Sequence, residues 1–168
     1  MSKYFYSLGL MSGTSMDGID ASIIQSDGDT KYKVILDKYF EYSKDIYQDL
    51  SDLRNKIKDF SDLKKLSKEV KALEKKITLL HVKVANEIIN DSKINVDLIG
   101  FHGQTIFHNT KKTLFPNERI SKQLGDGKLL AKLLKKTVSL FIQSATRNFQ
   151  TSFSGCHQSY RRRMDSMR

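Results

Sequence analysis

Alternating apolar and polar positions at the start of the chain predict three strands, at residues 4–11, 19–25 and 32–42. Turns rich in glycine and aspartate separate these strands, at residues 12–18 and 27–29. Turns of this composition commonly join neighbouring antiparallel strands. We therefore expect a three-stranded antiparallel sheet at the amino-terminal end of the chain.

A long helical region follows, because residues 44–90 contain neither proline nor glycine. Seven apolar residues in it are spaced alternately three and four apart and form one stripe: Leu63, Leu66, Val70, Leu73, Ile77, Leu80 and Val84. Packing onto a neighbouring sheet is the commoner use of such a stripe, and a coiled-coil seam is the alternative. The spacing places His81 on the polar side of this helix.

Two further elements complete the predicted fold. Residues 96–101 read as a buried strand that ends at His102, and residues 126–136 read as a short helix with Asp126 as a candidate N-cap. Residues 139–168 show no recognisable hydrophobic periodicity. Antiparallel strands, a long helix, another strand and another helix make an α/β domain.

Length and composition bound the class of protein. A chain of 168 residues has room for one domain with a real core, and 39% hydrophobic residues with a mean hydropathy of −0.46 are ordinary for a soluble protein. We find no apolar run near the roughly 20 residues of a membrane helix and no signal-peptide pattern in residues 1–30. The single cysteine, Cys156, excludes an internal disulfide, and no His/Cys spacing matches a zinc site. We expect a cytoplasmic protein with no membrane partner.

The net charge of +10 raises the question of nucleic-acid binding. Between Lys56 and Lys76, however, basic residues alternate with acidic ones, and a single aromatic residue, Phe60, is not an interleaved set that could stack on bases. We therefore predict a lysine-rich enzyme surface and no dedicated nucleic-acid partner.

Basic residues change type abruptly along the chain. Residues 1–138 hold 22 Lys and two Arg, whereas residues 139–168 hold five Arg and no Lys. Lysine and arginine serve a solvent-exposed surface similarly, so folding does not require this change from one to the other. A basic disordered tail is one explanation. We favour a second, that residues 139–168 are foreign to a domain formed by residues 1–138 and are poorly ordered.

The most informative motif lies between the first two predicted strands, at residues 11–20. Its candidate site residues are two glycines, two of its hydroxyl residues and two carboxylates: Gly13, Gly18, Thr14, Ser15, Asp17 and Asp20. The glycines are expected to adopt backbone angles closed to other residues, so that main-chain N–H groups converge on an anion. The hydroxyls add donors, and either carboxylate is a candidate Mg²⁺ ligand. The pattern suits phosphate handling; an ordinary hairpin is the alternative, since Asp-Gly is also a turn signal.

A second motif follows the predicted strand at 96–101. His102 precedes Gly103, where the backbone could approach a ligand closely, and Gln104 and Thr105 offer amide and hydroxyl groups to a sugar or to the protein's own turn. A histidine that ends a strand is more often a turn residue than a catalyst. The remaining histidines carry less information: His81, His108 and His157.

Three blocks of sequence resemble the anhydro-N-acetylmuramic acid kinase family. Residues 11–20 resemble its amino-terminal signature, and residues 98–108 resemble its Gly-x-His-Gly-Gln-Thr segment with the histidine that follows. Residues 123–131, Gln-Leu-Gly-Asp-Gly-Lys-Leu-Leu-Ala, are similar to the family's Gln-Ile-Gly-Asp-Pro-x-Leu-Ile-Ala. The blocks occur in the family's order, and the resemblance covers residues 3–138.

This resemblance implies one lobe of the fold shared by sugar kinases, actin and the heat-shock ATPases, in which two lobes close on ATP. It implies that Asp17 or Asp20 holds Mg²⁺. It also implies that ATP contacts the first hairpin, at residues Gly13, Thr14, Ser15, Met16, Asp17, Gly18, Ile19 and Asp20. It implies that the amino sugar contacts the second motif, through residues His102, Gly103, Gln104 and Thr105.

The resemblance also implies a reaction. The family transfers the γ-phosphoryl group of ATP to 1,6-anhydro-N-acetylmuramic acid while water opens the anhydro bridge, which gives N-acetylmuramic acid 6-phosphate in cell-wall recycling. Its general base lies in an Asp-Phe-Arg-x-x-Asp segment that does not follow Val138 here. We therefore expect the front half of a kinase, inactive alone, with an uncovered apolar face that favours self-association. The alternatives are a non-catalytic interaction module and one half of a two-chain kinase.

Overall fold

One mixed sheet organises the computed structural model, which describes residues 4–108 and 121–140. Its strands in chain order are β1 (Phe5–Ser12), β2 (Gly18–Ser26), β3 (Tyr32–Glu41), β4 (Leu98–His108), β5 (Ser121–Leu124) and β6 (Thr137–Leu140). The spatial order is β3-β2-β1-β4-β5, with β6 also paired to β4. The pairs β1–β2 and β2–β3 are antiparallel, which confirms the predicted amino-terminal sheet. β4 runs parallel to β1, so the class is α/β as predicted.

Helices α1 (Lys44–Lys56), α2 (Phe60–Lys65), α3 (Ser67–Ser92) and α4 (Gly127–Leu134) accompany this sheet. The prediction of one helical region over 44–90 is wrong in detail, because the chain leaves the helix at Ile57 and restarts after Asp59. Asp59 and Asp62 form a reciprocal capping box, which stabilises a new helix start without proline or glycine. At α4, Asp126 is the N-cap as predicted, and its carboxylate accepts from the N–H of Leu129 at 3.0 Å.

The apolar stripe of α3 packs onto the sheet, as predicted. Its buried residues share one core with strand residues such as Leu8, Ile23 and Phe101. The placement of His81 on the polar side of the helix is wrong, since its side chain is fully buried. An α-helix has 3.6 residues per turn, so a strict three-four spacing drifts off the buried face. By the middle of α3 the buried position has moved from Leu80, which is half-buried, to His81.

β4 is longer than predicted. Instead of ending at His102 it continues to His108, and its second half pairs with β5 while its first half pairs with β6. Gly103 has a φ of 72° and interrupts the register with β1, so the strand passes through the motif as a bulge. Neither β5 nor β6 was predicted, because four residues are too few to show a period.

The predicted boundary at residue 138 lies inside β6, which pairs with β4 as far as Leu140. The rest of the predicted tail, with Cys156 and His157, lies outside the described residues. The division into a domain and a foreign tail therefore stays a prediction. Within the described ranges, no helix has the length and apolar character needed to cross a membrane.

Candidate functional site

The loop between β1 and β2 is a tight turn fixed at several points. The N–H of Met16 donates to the Gly13 carbonyl at 3.4 Å, and the N–H of Tyr42 donates to the Asp17 carbonyl at 2.8 Å. Met16 has a φ of 58°, in the left-handed region that non-glycine residues rarely adopt, and its side chain is buried in the core. Only the main chain of Met16 is therefore available to a ligand.

The two glycines act differently from the prediction. Neither has a positive φ, so their backbone angles are not closed to other residues; Met16 makes the left-handed turn instead. Gly18 is required for a steric reason, because a Cβ there would lie 2.4 Å from the Phe40 carbonyl oxygen. At Gly13 a Cβ would meet its nearest atom, the Ser15 hydroxyl, at an ordinary 3.5 Å. A small substitution at Gly13 is thus compatible with the fold.

Polar groups of this loop face solvent. Thr14, Ser15 and Asp17 are exposed, and the Ser15 hydroxyl donates to the Asp17 carboxylate at 2.6 Å. The hydroxyl hydrogen of Ser15 is therefore already engaged. Among the described residues, the main-chain N–H groups of Thr14 and Ser15 donate to no other protein group. Two adjacent main-chain donors at an exposed turn can bind an anionic oxygen.

A basic side chain that the sequence reasoning missed lies beside the loop. Arg54, in the last turn of α1, donates from Nη1 to the Thr14 carbonyl at 3.3 Å. Its guanidinium group has further N–H donors and a permanent positive charge. Arg54 therefore adds positive charge next to the exposed donors. The sequence offered one signal, since Arg54 is one of two arginines in a lysine-rich stretch of 138 residues.

The predicted metal ligands lie at the start of β2. Asp17 is exposed, and Asp20 is half-buried in β2, opposite Met11 of β1 and Tyr39 of β3. Ile19, between them, is fully buried in the core. In the described part of the chain, no group of three or more His, Cys, Asp or Glu residues could hold a metal ion. One or two carboxylates suffice for Mg²⁺ when substrate phosphates and water supply the other ligands, so this donor set fits that ion.

The second motif lies in the bulge of β4. His102 is half-buried; its Nδ1–H donates to the Gly103 carbonyl at 2.9 Å, and its Nε2 accepts from the Gln123 amide at 2.8 Å. A Cβ on Gly103 would lie 2.4 Å from the Leu124 carbonyl oxygen, so glycine is required there by space and by its φ. Both ring nitrogens of His102 are thus satisfied within the protein.

Gln104 links the two motifs. Its side chain is fully buried, and Nε2 donates to the Gly13 carbonyl at 2.6 Å and to the Thr105 carbonyl at 3.0 Å. Thr105 is also buried. Of the two predicted uses of the Gln104 amide, the structure favours the protein's own turn over a sugar. The two motifs, about ninety residues apart in sequence, are in direct contact.

Sequence reasoning missed a buried chain of side-chain hydrogen bonds that continues from Gln104, here called the polar line. The Ser12 hydroxyl lies 2.9 Å from His81 Nε2 and 3.0 Å from the Tyr42 hydroxyl, which in turn lies 3.1 Å from Gln104 Oε1. Burial lowers the pKa of His81 to about 4 and is the main cause of a raised pKa at Tyr42. His81 is therefore neutral at pH 7. The only sequence signal was the position of His81 four residues after Ile77, at the edge of the apolar stripe.

Comparison with known proteins identifies the family. A sequence model of the anhydro-N-acetylmuramic acid kinases matches residues 5–143, which include both motifs. An anhydro-N-acetylmuramic acid kinase of Pelagibacter ubique is 56% identical over 138 residues, which are 82% of this chain and 35% of that protein. Relatives of the same name from Agrobacterium fabrum and Brucella canis are 33% and 36% identical, each over 74% of this chain and over 32% and 33% of their own lengths.

This chain spans about a third of the length of the curated relatives it matches. The match extends past residue 138, where the domain boundary was predicted. The mixed sheet with helices agrees with one lobe of the sugar kinase and actin-like fold. From its sheet, its two motifs and these matches, the chain belongs to the anhydro-N-acetylmuramic acid kinase family of carbohydrate kinases.

Proposed function

We propose that this chain is the front lobe of a kinase that phosphorylates 1,6-anhydro-N-acetylmuramic acid. In the proposed reaction the sugar oxygen released from the anhydro bridge takes the γ-phosphoryl group of ATP, and water adds to the anomeric carbon. The products are ADP and N-acetylmuramic acid 6-phosphate. Because this reaction consumes ATP, we place it in the cytoplasm. The observation that carries the proposal is the exposed turn at residues 13–17, with two unengaged main-chain donors, in a chain of this family.

Phosphate binding is the role proposed for this turn. The N–H groups of Thr14 and Ser15 and the guanidinium group of Arg54 would stabilise the charge on the ATP phosphates. Phosphoryl transfer depends mainly on positioning and charge stabilisation, so a rigid loop is an advantage. The buried side chain of Met16 and the hydrogen bonds to Gly13 and Asp17 supply that rigidity.

Asp17 and Asp20 are the residues proposed to hold Mg²⁺. When bound, the ion would neutralise charge on the phosphate oxygens. The Ser15 hydroxyl, which donates to Asp17, would keep that carboxylate in one orientation.

The sugar is proposed to contact the second motif. The Gln104 amide and both ring nitrogens of His102 are engaged within the protein, so contacts with the sugar would come from the exposed part of the His102 ring and from the main chain around Gly103. No described residue is assigned as the general base. We therefore propose that the 168-residue polypeptide alone binds MgATP but does not transfer phosphate.

Substitution of Gly13 tests the phosphate site. Gly13→Val places a branched side chain at the turn, where the fold has room for a Cβ but an ATP phosphate would need close approach. We expect the dissociation constant for MgATP, measured by calorimetry on the 168-residue protein, to rise about tenfold or more with the fold intact by circular dichroism. In a full-length relative with the same loop, the Michaelis constant for ATP should rise, or activity should be lost.

Two further variants serve as controls for this test. Thr30→Val places the same side chain in the other hairpin turn, which is exposed, and should leave MgATP binding unchanged. Thr14→Ala should be milder than Gly13→Val, because main-chain donors carry the proposed site. If folded Gly13→Val bound MgATP with unchanged affinity, the loop would be an ordinary hairpin and not a phosphate site.

A further inference from the structure

Tyr42 is connected to both ends of the turn at residues 13–17. Its main-chain N–H donates to the Asp17 carbonyl at 2.8 Å. At the other end the connection passes through Gln104, since the Tyr42 hydroxyl lies 3.1 Å from Gln104 Oε1 and Gln104 Nε2 lies 2.6 Å from the Gly13 carbonyl. Tyr42 follows β3 directly and its ring is buried, so it is a fixed point for both connections.

The Tyr42 hydroxyl completes the hydrogen bonding of the Gln104 amide, whose orientation is set by two carbonyl oxygens. Nε2 faces two carbonyl oxygens, those of Gly13 and Thr105, and donates to both. Turned over, the amide would place Oε1 against two acceptors and Nε2 toward Tyr42. Oε1 in its present position needs a donor, because a buried carbonyl oxygen without one is costly. Tyr42 supplies that donor.

The hydrogens available to the polar line can be counted. His81 Nδ1–H donates to the Ile77 carbonyl at 2.8 Å, so Nε2 of the neutral ring is an acceptor that draws the hydrogen of Ser12. The hydroxyls of Ser12 and Tyr42 then have two hydrogens for three contacts. The single hydrogen of Tyr42 is therefore contested between Ser12 Oγ and Gln104 Oε1.

We propose that Tyr42 is a positioning residue for the phosphate-binding turn, acting through its hydrogen bond to Gln104, and that Ser12 competes with Gln104 for the hydroxyl hydrogen of Tyr42. This inference rests on the proposed function for the consequence of the positioning, which is nucleotide affinity. The positioning itself is a property of the free protein.

Removal of one hydroxyl group tests the first half of the proposal. Tyr42→Phe keeps the buried ring and the main-chain bond to Asp17 but takes the donor from Gln104. We expect the dissociation constant for MgATP to rise about fivefold in the 168-residue protein. Tyr47→Phe makes the same change on an exposed side chain of α1 and should leave the constant unchanged.

Substitution of Ser12 tests the second half of the proposal, the competition for the Tyr42 hydrogen. Unlike Tyr42→Phe, it should not raise the dissociation constant for MgATP. Ser12→Ala leaves Gln104 as the only competitor for the hydrogen of Tyr42. The protein should become less stable, because His81 Nε2 loses its donor, while the dissociation constant for MgATP should be no higher than in the wild type. If these hydrogen bonds only stabilised the fold, Tyr42→Phe and Ser12→Ala would both lower the free energy of unfolding and both raise the dissociation constant for MgATP.

An NMR readout separates this proposal from the proposed function. In the free protein, Tyr42→Phe should shift the side-chain NH₂ signals of Gln104 and the amide signals of Thr14 and Ser15, and Tyr47→Phe should not. If the wild type fails to bind MgATP but these shifts occur, the proposed function fails and the positioning stands. If Tyr42→Phe moves none of these signals, or if Ser12→Ala raises the constant as much as Tyr42→Phe does, the positioning role is refuted.

Discussion

At the residue scale, the buried imidazole of His81 shows how a polar side chain is held in an apolar core. Its Nδ1–H donates to the Ile77 carbonyl, its Nε2 faces the Ser12 hydroxyl, and its ring packs edge-on against Phe101 at 5.0 Å. Both nitrogens are satisfied by neutral partners, and no described carboxylate pairs with the ring. Protonation would place an unpaired charge in the core, which is why burial lowers the pKa of His81.

This pKa shift predicts how stability depends on pH. The pKa of His81 falls from 6.5 to about 4 on folding, so the unfolded chain binds more protons between those values. Stability from this residue is therefore full above pH 6.5 and is lost as the pH falls toward 4. The loss is about 1.4 kcal/mol per pH unit at most, and on the order of 3 kcal/mol in total. Urea denaturation at pH 7.5, 6.5 and 5.5 measures it.

Two variants make that measurement specific to His81. His81→Gln keeps a group that can bond to Ser12 but does not titrate, so its stability should fall less between pH 7.5 and 5.5 than that of the wild type. His108→Gln, on an exposed side chain, should follow the wild type. Equal pH slopes in the wild type and in His81→Gln would show that His81 is not the titrating group.

Single residues differed in how far they could be predicted. The turn residues Thr14, Ser15 and Asp17 carry their chemistry in a local pattern, and the structure places them together on an exposed turn. Ser12 and Tyr42 gave no such signal, because their roles depend on partners that are distant in sequence. His81 lies 69 positions from Ser12, and Gln104 lies 62 positions from Tyr42. Hydroxyl residues within or near a motif are common in any sequence, and only the fold shows which of them is buried.

At the element scale, the bulge in β4 determines where the second motif lies. β4 pairs with β1 at Phe101 and again at Gln104. Between these pairs β4 has two residues, the second being Gly103 with its φ of 72°, whereas β1 has one. The bulge turns the Gln104 side chain toward the turn at residues 13–17. A regular strand would have changed the face of every residue after the bulge.

Two glycines with similar backbone angles allow the bulge to be tested. Gly28 has a φ of 83° and no atom within 4 Å of a built Cβ, whereas at Gly103 the Cβ would lie 2.4 Å from the Leu124 carbonyl oxygen. Gly28→Ala should cost about 1 kcal/mol of unfolding free energy through backbone strain alone. Gly103→Ala should cost about 3 kcal/mol or more, because strand β5 must also move. Equal costs in urea denaturation would contradict the close approach of β4 and β5.

Helices show what sequence periodicity can and cannot provide. The spacing of apolar residues predicted a helix that packs on the sheet, because burial of one face is what selects that spacing. It could not locate the break at residues 57–59, since Asp59 is an N-cap only when the chain before it is extended. It also misplaced His81, because a fixed three-four repeat departs from the true helical period over several turns.

At the scale of the whole molecule, strand order brings the two motifs together. The parallel pairing of β1 and β4 places Ser12, the last residue of β1, opposite Gln104 in the middle of β4. The sequence alone predicted β1 to β4 and the α/β class, but it gave no direct evidence for this pairing, which joins segments separated by α1, α2 and α3. The register of β1 and β4 shows that the two motifs are adjacent.

The central claim is that the turn at residues 13–17 binds the phosphates of ATP, and an NMR titration of the 168-residue protein with MgATP tests it most directly. We expect saturable shifts that are largest for the amides of Thr14 and Ser15, with the Arg54 side chain also affected. The hairpin at residues 27–29 lies in the same sheet and should not respond. The absence of any shift at residues 13–17, or larger shifts at the other hairpin, would show that this turn does not bind the ATP phosphates.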